Sequence, residues 1–312
     1  MANLGYIQLT RICNQNCLFC SNPENQNIIS LDDAKSQLLE LKNKNYDGVI
    51  LTGGEPTLHK RLKDIIALSV KLGIIPRIIT NGQVTSKSGF LKSLQDAGLD
   101  HIHISIHSMR DNVQSYLTQN PESLKNLKKT LDEAARIQIT VDINTVICAQ
   151  NSDHLDETVK IIVDRWPFVK HFVWNNMDTK MNRVKENPQT VPNLSDLELS
   201  LFRAMSFLEK TGRTFRVERL ALCYMADFPW ASTETRKIVK GEERIVNFLD
   251  EKGKVNQSEF VHEKSKVCSS CSLDSICAGL YDSGGAYDPR ELYPIFLDTA
   301  PIIKKIKKQP KK

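Results

Sequence analysis

The 312-residue sequence contains no apolar run near the ~20 residues that span a bilayer. Its start, Met-Ala-Asn-Leu-Gly-Tyr-Ile, lacks the basic segment and apolar stretch of an export signal. There is no internal repeat, and no low-complexity segment before the closing lysines. Charge of one sign is scarce as well: the net value is +5, and much of it lies in Lys304-Lys305-Ile306-Lys307-Lys308-Gln309-Pro310-Lys311-Lys312. These absences exclude a membrane-spanning chain and a repeat array. The tail, residues 304–312, reads as a solvated, disordered end rather than a nucleic-acid arm. What remains is an ordinary globular composition, 40% hydrophobic and 25% charged, with length for one large α/β domain and a smaller appended module. Eight cysteines without an export signal point to metal ligation in a reducing compartment, so a cytoplasmic protein is expected.

Three of those cysteines, Cys13, Cys17 and Cys20, stand in the run Arg-Ile-Cys-Asn-Gln-Asn-Cys-Leu-Phe-Cys, directly after a short apolar strand. The fourth thiolate of a closed structural site is missing from this loop. A structural tetrahedral site fills its coordination sphere with protein ligands, whereas a catalytic metal keeps a position open. Thiolates select zinc, copper(I) or iron–sulfur clusters, and the trio alone also suits a zinc loop with a distant fourth ligand. Further on, Val49-Ile50-Leu51-Thr52-Gly53-Gly54-Glu55-Pro56 reads as a buried strand entering a tight turn. Glycine there permits close approach of a ligand to the backbone, and Glu55 offers a carboxylate to an ammonium group.

The two motifs, in this order and on consecutive strands, resemble the radical SAM superfamily. There Cys-x3-Cys-x2-Cys holds a [4Fe-4S] cluster, and S-adenosylmethionine (SAM) occupies the open iron. The resemblance implies that Cys13, Cys17 and Cys20 ligate that cluster. It also implies that Phe19 packs near the adenine and that Gly53, Gly54, Glu55 and Pro56 receive the methionine moiety. Asn81, Ser105 and Asn144 fall where such proteins carry further residues touching SAM.

From Leu4 to about Gly212, short β-branched runs alternate with amphipathic helices, the pattern of βα units. Strands are expected at residues 5–10, 48–52, 74–80, 101–107, 138–147 and 169–174. They predict a partial (β/α)6 TIM-like barrel, an α/β fold with a small C-terminal cysteine-rich extension. Ser30, three residues before Asp33, resembles a capping box, and Pro121 is expected to open the helix of Leu124, Leu127 and Leu131. In His101-Ile102-His103-Ile104-Ser105-Ile106-His107, period two puts the isoleucines on one face and the polar residues on the other. Tyr6, Gln8 and Thr10 of the first strand, and Asp142 and Asn144 of the fifth, show the same split. With the isoleucines under the helices, the polar faces line the barrel interior and make a working cavity.

After Gly212 the rhythm is expected to stop. Residues 213–303 read as a second module after a core at 1–212. Phe215–Leu220 is a candidate strand, and residues 244–250 and 254–260 form a candidate hairpin around Glu251-Lys252-Gly253. This module carries Cys268-Ser-Ser-Cys271 and Cys277, with Cys223 upstream. The spacing resembles part of the SPASM/twitch extensions, which hold auxiliary iron–sulfur clusters. Four thiolates suffice for one second [4Fe-4S] cluster or for zinc, unless Cys223 stays out and leaves an open iron. Cys148, at the end of the fifth strand, is either a hydrogen donor to a substrate radical or a small buried hydrophobe.

The resemblance implies an enzyme that cleaves SAM reductively to a 5′-deoxyadenosyl radical and abstracts a substrate hydrogen, fed by an external donor of flavodoxin or ferredoxin type. Peptide maturation of the RiPP type (ribosomally made, later modified peptides) is the favoured use. The early first strand leaves no room for a leader-binding domain, which weakens that reading. The alternatives are radical oxidation or rearrangement of a small molecule (sugar, alcohol or nucleotide) and, in another class, a non-catalytic zinc- or RNA-binding protein.

Overall fold

In a computed structural model of the chain, the described residues are 4–22, 25–177, 179, 183–242, 245–250, 253–256, 262–281 and 286–309. The strands are β1 (Leu4–Thr10), β2 (Gly48–Gly53), β3 (Ile75–Thr80), β4 (His101–Ser105), β5 (Thr140–Val146), β6 (His171–Asn175), β7 (Thr214–Glu218), β8 (Ile245–Asn247), β9 (Lys254–Asn256), β10 (His262–Glu263) and β11 (Leu280–Tyr281). The helices are α1 (Leu31–Asn43), α2 (Leu62–Lys71), α3 (Phe90–Asp96), α4 (Asp111–Thr118), α5 (Ser123–Ile137), α6 (Leu155–Arg165), α7 (Arg183–Glu186), α8 (Leu194–Lys210), α9 (Thr233–Lys240) and α10 (Thr299–Lys308). No described helix is long and apolar enough to cross a membrane.

The first six strands are those expected, and they pair in parallel, each with the next. Ile102, Ile104 and Ile106 have no exposed surface, so the alternation of β4 faces as its sequence dictates. Each such side chain contributes about 1.5–3 kcal/mol by leaving water. Ser30 caps α1 by accepting from the Asp33 amide at 3.0 Å, but its hydroxyl donates to the Asp33 carboxylate, so the box closes through the side chains. Pro121 lies outside α5, which begins at Ser123.

Two expectations fail at the C-terminal end. The βα rhythm does not stop at Gly212: α8 leads into β7, which pairs in parallel with β6. On the other edge β8 pairs in parallel with β1, and β9 returns antiparallel to β8, giving the order β7-β6-β5-β4-β3-β2-β1-β8-β9. Residues expected in the second module thus add strands at both ends of the open sheet, while β10 and β11 form a separate two-stranded sheet. The expected hairpin forms over 245–247 and 254–256, while Arg244, Glu251, Lys252 and residues 257–260 lie outside the described residues.

The basic tail is not disordered through its described part. Residues 304–308 belong to α10, capped by Asp298 and seated by Ile302 and Ile306, which are buried. Lysines in its last turn complement the negative end of the helix dipole. Gln309 then accepts from Arg216 and Arg236. The lysines masked an amphipathic stripe; residues 310–312 lie outside the described chain.

Candidate active site

The cysteine loop leaves β1 through an irregularity. Strands β1 and β2 pair one for one from Leu4↔Gly48 to Gln8↔Thr52, then skip to Thr10↔Gly53. Such a bulge re-aims the chain where pairing ends. The loop is then sewn to its surroundings. The Gly54 amide donates to the Thr10 carbonyl at 2.6 Å, the Glu55 amide to the Ile12 carbonyl at 2.8 Å, and the Leu18 amide to the Leu117 carbonyl at 3.0 Å. Both glycines are needed for this approach. A Cβ on Gly53, whose φ is +133°, would lie 2.2 Å from the Thr10 oxygen; one on Gly54 would lie 2.3 Å from the Ile12 oxygen. The close approach expected toward a ligand is thus made to the cysteine loop itself.

Glu55 also differs from expectation. It caps the short 3-10 turn Pro56–Leu58, with Pro56 in the first helical position where a missing N–H costs nothing. Its carboxylate is buried and accepts from the Thr57 amide (3.1 Å) and hydroxyl (2.5 Å), the Thr80 hydroxyl (2.8 Å) and the Asn81 amide (2.7 Å). Burial pushes its pKa up, opposed by these donors. The carboxylate is spent on joining the ends of β2 and β3 and is not presented to an incoming ammonium. A buried acid behind Gly-Gly and before Pro was the sequence signal for this capping role.

Asn81 links that clamp to the thiols: its side-chain amide donates to Asn14 at 2.7 Å and stands 3.7 Å from the Cys13 sulfur. The Asn22 amide donates to the Cys20 sulfur at 3.4 Å. Burial raises the Cys13 thiol to about 11 and lifts Cys17 and Cys20 as well, with Arg183 opposing at both and Arg11 at Cys20. Ligation of a metal would therefore release protons. Arg11 stands two residues before Cys13 and carries no motif of its own in the sequence. Its buried guanidinium pairs with Asp250 at 2.6 Å and bonds Asn22 at 3.0 Å, tying the loop to the segment after β8. Three thiols on one loop, with N–H donors aimed at the Cys13 and Cys20 sulfurs, fit a cluster held by three protein ligands.

Phe19 packs edge-on against His107 at 4.6 Å, within a small cluster of Leu117, Cys148, Met177 and Val184. Cys148 has no exposed surface and its pKa is raised far by burial alone. It fills space there, and the hydrogen-donor role is not supported. His107 is buried too; its Nδ1 accepts from the Val146 amide at 3.2 Å, and burial lowers its pKa to about 3. The unfolded chain therefore binds a proton that the folded one refuses between pH ~6.5 and about 3. The stability this neutral imidazole contributes is complete above ~6.5 and drains by about 1.4 kcal/mol per pH unit below it. Urea unfolding of the apoprotein at pH 7, 6 and 5 should show that slope, reduced in His107→Gln; an unchanged slope in the variant would assign it elsewhere.

The polar strand faces do meet in a cavity of about 630 Å³, lined among others by Tyr6, Arg77, His101, His103, Asp142 and Asn144. Ser105 lies opposite Asn144 in register, and Asn144 accepts from Asn175 at 2.6 Å. Asp142 is buried, which alone would raise its pKa. The hydrogen bond from His101 and the charges of His103 and His171 hold it well below the usual carboxylate range instead. Desolvation lowers His103 to about 4.

The other four expected cysteines also converge. Cys223, in the turn after β7, lines one pocket with Cys268, Cys271 and Cys277. The Ile295 amide donates to the Cys271 sulfur and the Gly279 amide to the Cys277 sulfur, both at 3.3 Å. Burial raises Cys223 to about 11. Four thiols thus line one pocket, and two of them accept backbone amide donors.

Residues 7–162 match the family model described as the Radical SAM superfamily. A GTP 3′,8-cyclase of Alkaliphilus metalliredigens is 31% identical over 177 residues, covering 52% of this chain and 53% of that protein. A PqqA peptide cyclase of Rhizobium meliloti is 29% identical over 168 residues, covering 50% of this chain and 42% of that one. The chain thus spans about half the length of the curated relatives it matches. Among solved structures, Streptococcus suis SuiB bound to S-adenosylmethionine superposes with a TM-score of 0.67 at 18% identity, covering 96% of this chain and 77% of SuiB. Native anSMEcpe with bound AdoMet (SAM) gives 0.65 at 15%, covering 97% and 95%.

Proposed function

The chain belongs to the radical SAM superfamily, and from that premise we propose that Cys13, Cys17 and Cys20 hold a [4Fe-4S] cluster whose open iron takes S-adenosylmethionine. When bound, cluster and cofactor supply a 5′-deoxyadenosyl radical by one-electron reductive cleavage, with an external flavodoxin- or ferredoxin-type donor. The chain's part is orientation and exclusion of water. Phe19, the Gly53–Pro56 turn, Asn81, Ser105 and Asn144 form the SAM-side wall, with Glu55 acting through the turn it caps. Substrate enters the polar barrel interior. Cys223, Cys268, Cys271 and Cys277 hold a second [4Fe-4S] cluster, with zinc as the rival occupant. The observation that carries this reading is the three-thiol loop, sewn by the Gly54 and Glu55 amides to the end of β2 above that interior.

A peptide is the substrate class we favour, on the likeness to a PqqA peptide cyclase. A second reading, a small anionic molecule, has its own observation: Arg77, Lys170, Arg216, Arg219 and Arg236 line the cavity against Asp142 and Glu218.

The reduced, cluster-loaded protein is expected to release 5′-deoxyadenosine from SAM, and Cys17→Ala none. A loaded wild type that releases none would end the radical reading. About eight iron and eight sulfide per chain would mean two clusters; about four of each with one zinc would make the C-terminal site a structural clamp. Deuterium passing into 5′-deoxyadenosine from a labelled peptide encoded beside this gene supports the peptide reading; label arriving only from a phosphorylated small molecule replaces it with the second.

A further inference from the structure

His101, His103 and Asp142 form a group that the cysteine chemistry does not use. His101 and His103 stand two apart on β4 and so share its inward face, and Asp142 is the register partner of His103 on β5. Asp142 Oδ2 lies 2.9 Å from His101 Nε2 and 3.5 Å from His103 Nδ1, and one donor atom from each residue falls within 4.8 Å of the other two. The imidazoles are stacked, with centroids 4.8 Å apart. The three side chains are only 10–14% exposed.

We propose that this trio is a second kind of metal site in the barrel, a two-histidine, one-carboxylate centre for a divalent transition ion such as zinc. Three donors each ~2.1 Å from one ion stand about 3.0 Å apart at adjacent octahedral corners and about 3.4 Å apart at tetrahedral ones. The two distances to Asp142 already match these. Imidazole and carboxylate are ligands for borderline ions such as zinc or iron(II), whereas the cysteine sites are all thiolate. A plain His101–Asp142 pair leaves His103 Nε2 buried with no hydrogen-bond partner, a costly state for a ring nitrogen.

Three protein ligands also leave positions open toward the cavity. Arg77 is the register partner of His101 on β3 and lines the same cavity, and its Nε is buried without a hydrogen-bond partner. It repels a bare cation and favours an ion carrying an anionic exogenous ligand. The site lies away from the cysteine loop: His101 opens β4, while the loop follows the last residue of β1, at the other end of the parallel strands.

The test uses the iron–sulfur-loaded protein, cleared of loose metal with a chelator and then dialysed against zinc. We expect one zinc per chain with only nitrogen and oxygen neighbours at about 2.0–2.2 Å in its X-ray absorption spectrum, against about 2.3 Å for zinc on sulfur. His103→Gln and Asp142→Asn should each weaken it at least tenfold while keeping wild-type iron and sulfide. Zinc found only on sulfur, or none, overturns the site from the wild type alone, even if a variant fails to fold. Nitrogen- and oxygen-bound zinc that survives in both variants overturns it equally. Neither result depends on SAM cleavage.

Discussion

Gly54→Ala is expected to lower stability by about 3–5 kcal/mol, from overpacking plus two weakened backbone hydrogen bonds, and to keep iron off Cys13, Cys17 and Cys20. The added Cβ would stand 2.3 Å from the Ile12 oxygen and 2.6 Å from the Arg11 oxygen, so two chain segments must part. Parting them breaks the bonds from the Gly54 and Glu55 amides that hold the cysteine loop. Both neighbours are backbone, and neither can swing aside as a side chain would. Gly73→Ala is the control. Its φ is +77° but nothing lies within 4 Å of the added carbon, so only the left-handed backbone cost of about 1–2 kcal/mol applies. Urea midpoints of the apoproteins and iron per chain after reconstitution check the pair. A Gly54→Ala protein with a wild-type midpoint and full iron would refute the sewn-loop account.

Glu55→Ala should be as damaging without any clash. It strips acceptors from two amides and two hydroxyls in a site where Glu55 is 1% exposed. The hydroxyls can turn to other acceptors, whereas the amides of Thr57 and Asn81 are fixed. At about 1–3 kcal/mol for each donor left unmet, the loss comes to about 4 kcal/mol, at the severe end for one substitution. Glu55→Gln should fall between alanine and wild type. One face of its amide must offer N–H where the protein already offers a donor, either at Asn81 or at the Thr57 and Thr80 group. Denaturation midpoints ordering wild type, Gln, Ala test this. Equal midpoints for all three would mean that the carboxylate carries no load.

Much of this was legible because the relevant physics is local. The His-Ile alternation of β4 fixed which side chains face inward, and the Cys-x3-Cys-x2-Cys spacing put three thiols on one loop. Cys223 was paired with a cluster more than forty residues away because four thiolates complete a metal centre. The rest depends on contacts between segments distant in sequence. At Gly53 and Gly54 the sequence shows that a backbone comes close to something, but not that the Thr10 and Ile12 carbonyls are there. The capping role of Glu55 was not legible because its four donors come partly from Thr80 and Asn81, a strand away. Strands β7 and β8 were legible as strands, but not their parallel pairing with β6 and β1, which only the assembled sheet decides. In α10 the lysines outvoted Ile302 and Ile306, although an i, i+4 pair is what a docked helix needs.

The seat of β1 has a consequence for how the protein is made. This first strand is flanked by β2 on one side and β8 on the other, and Arg11 at its exit is neutralised by Asp250, 239 residues downstream. Contacts so distant in sequence close late in folding. A ribosome-bound chain lacking β8 would carry Cys13, Cys17 and Cys20 in a loop still open along one flank, and iron delivered then would meet an unfinished cradle. The segment after β8 thus serves as a latch on the cysteine loop, supplied from the far end of the chain.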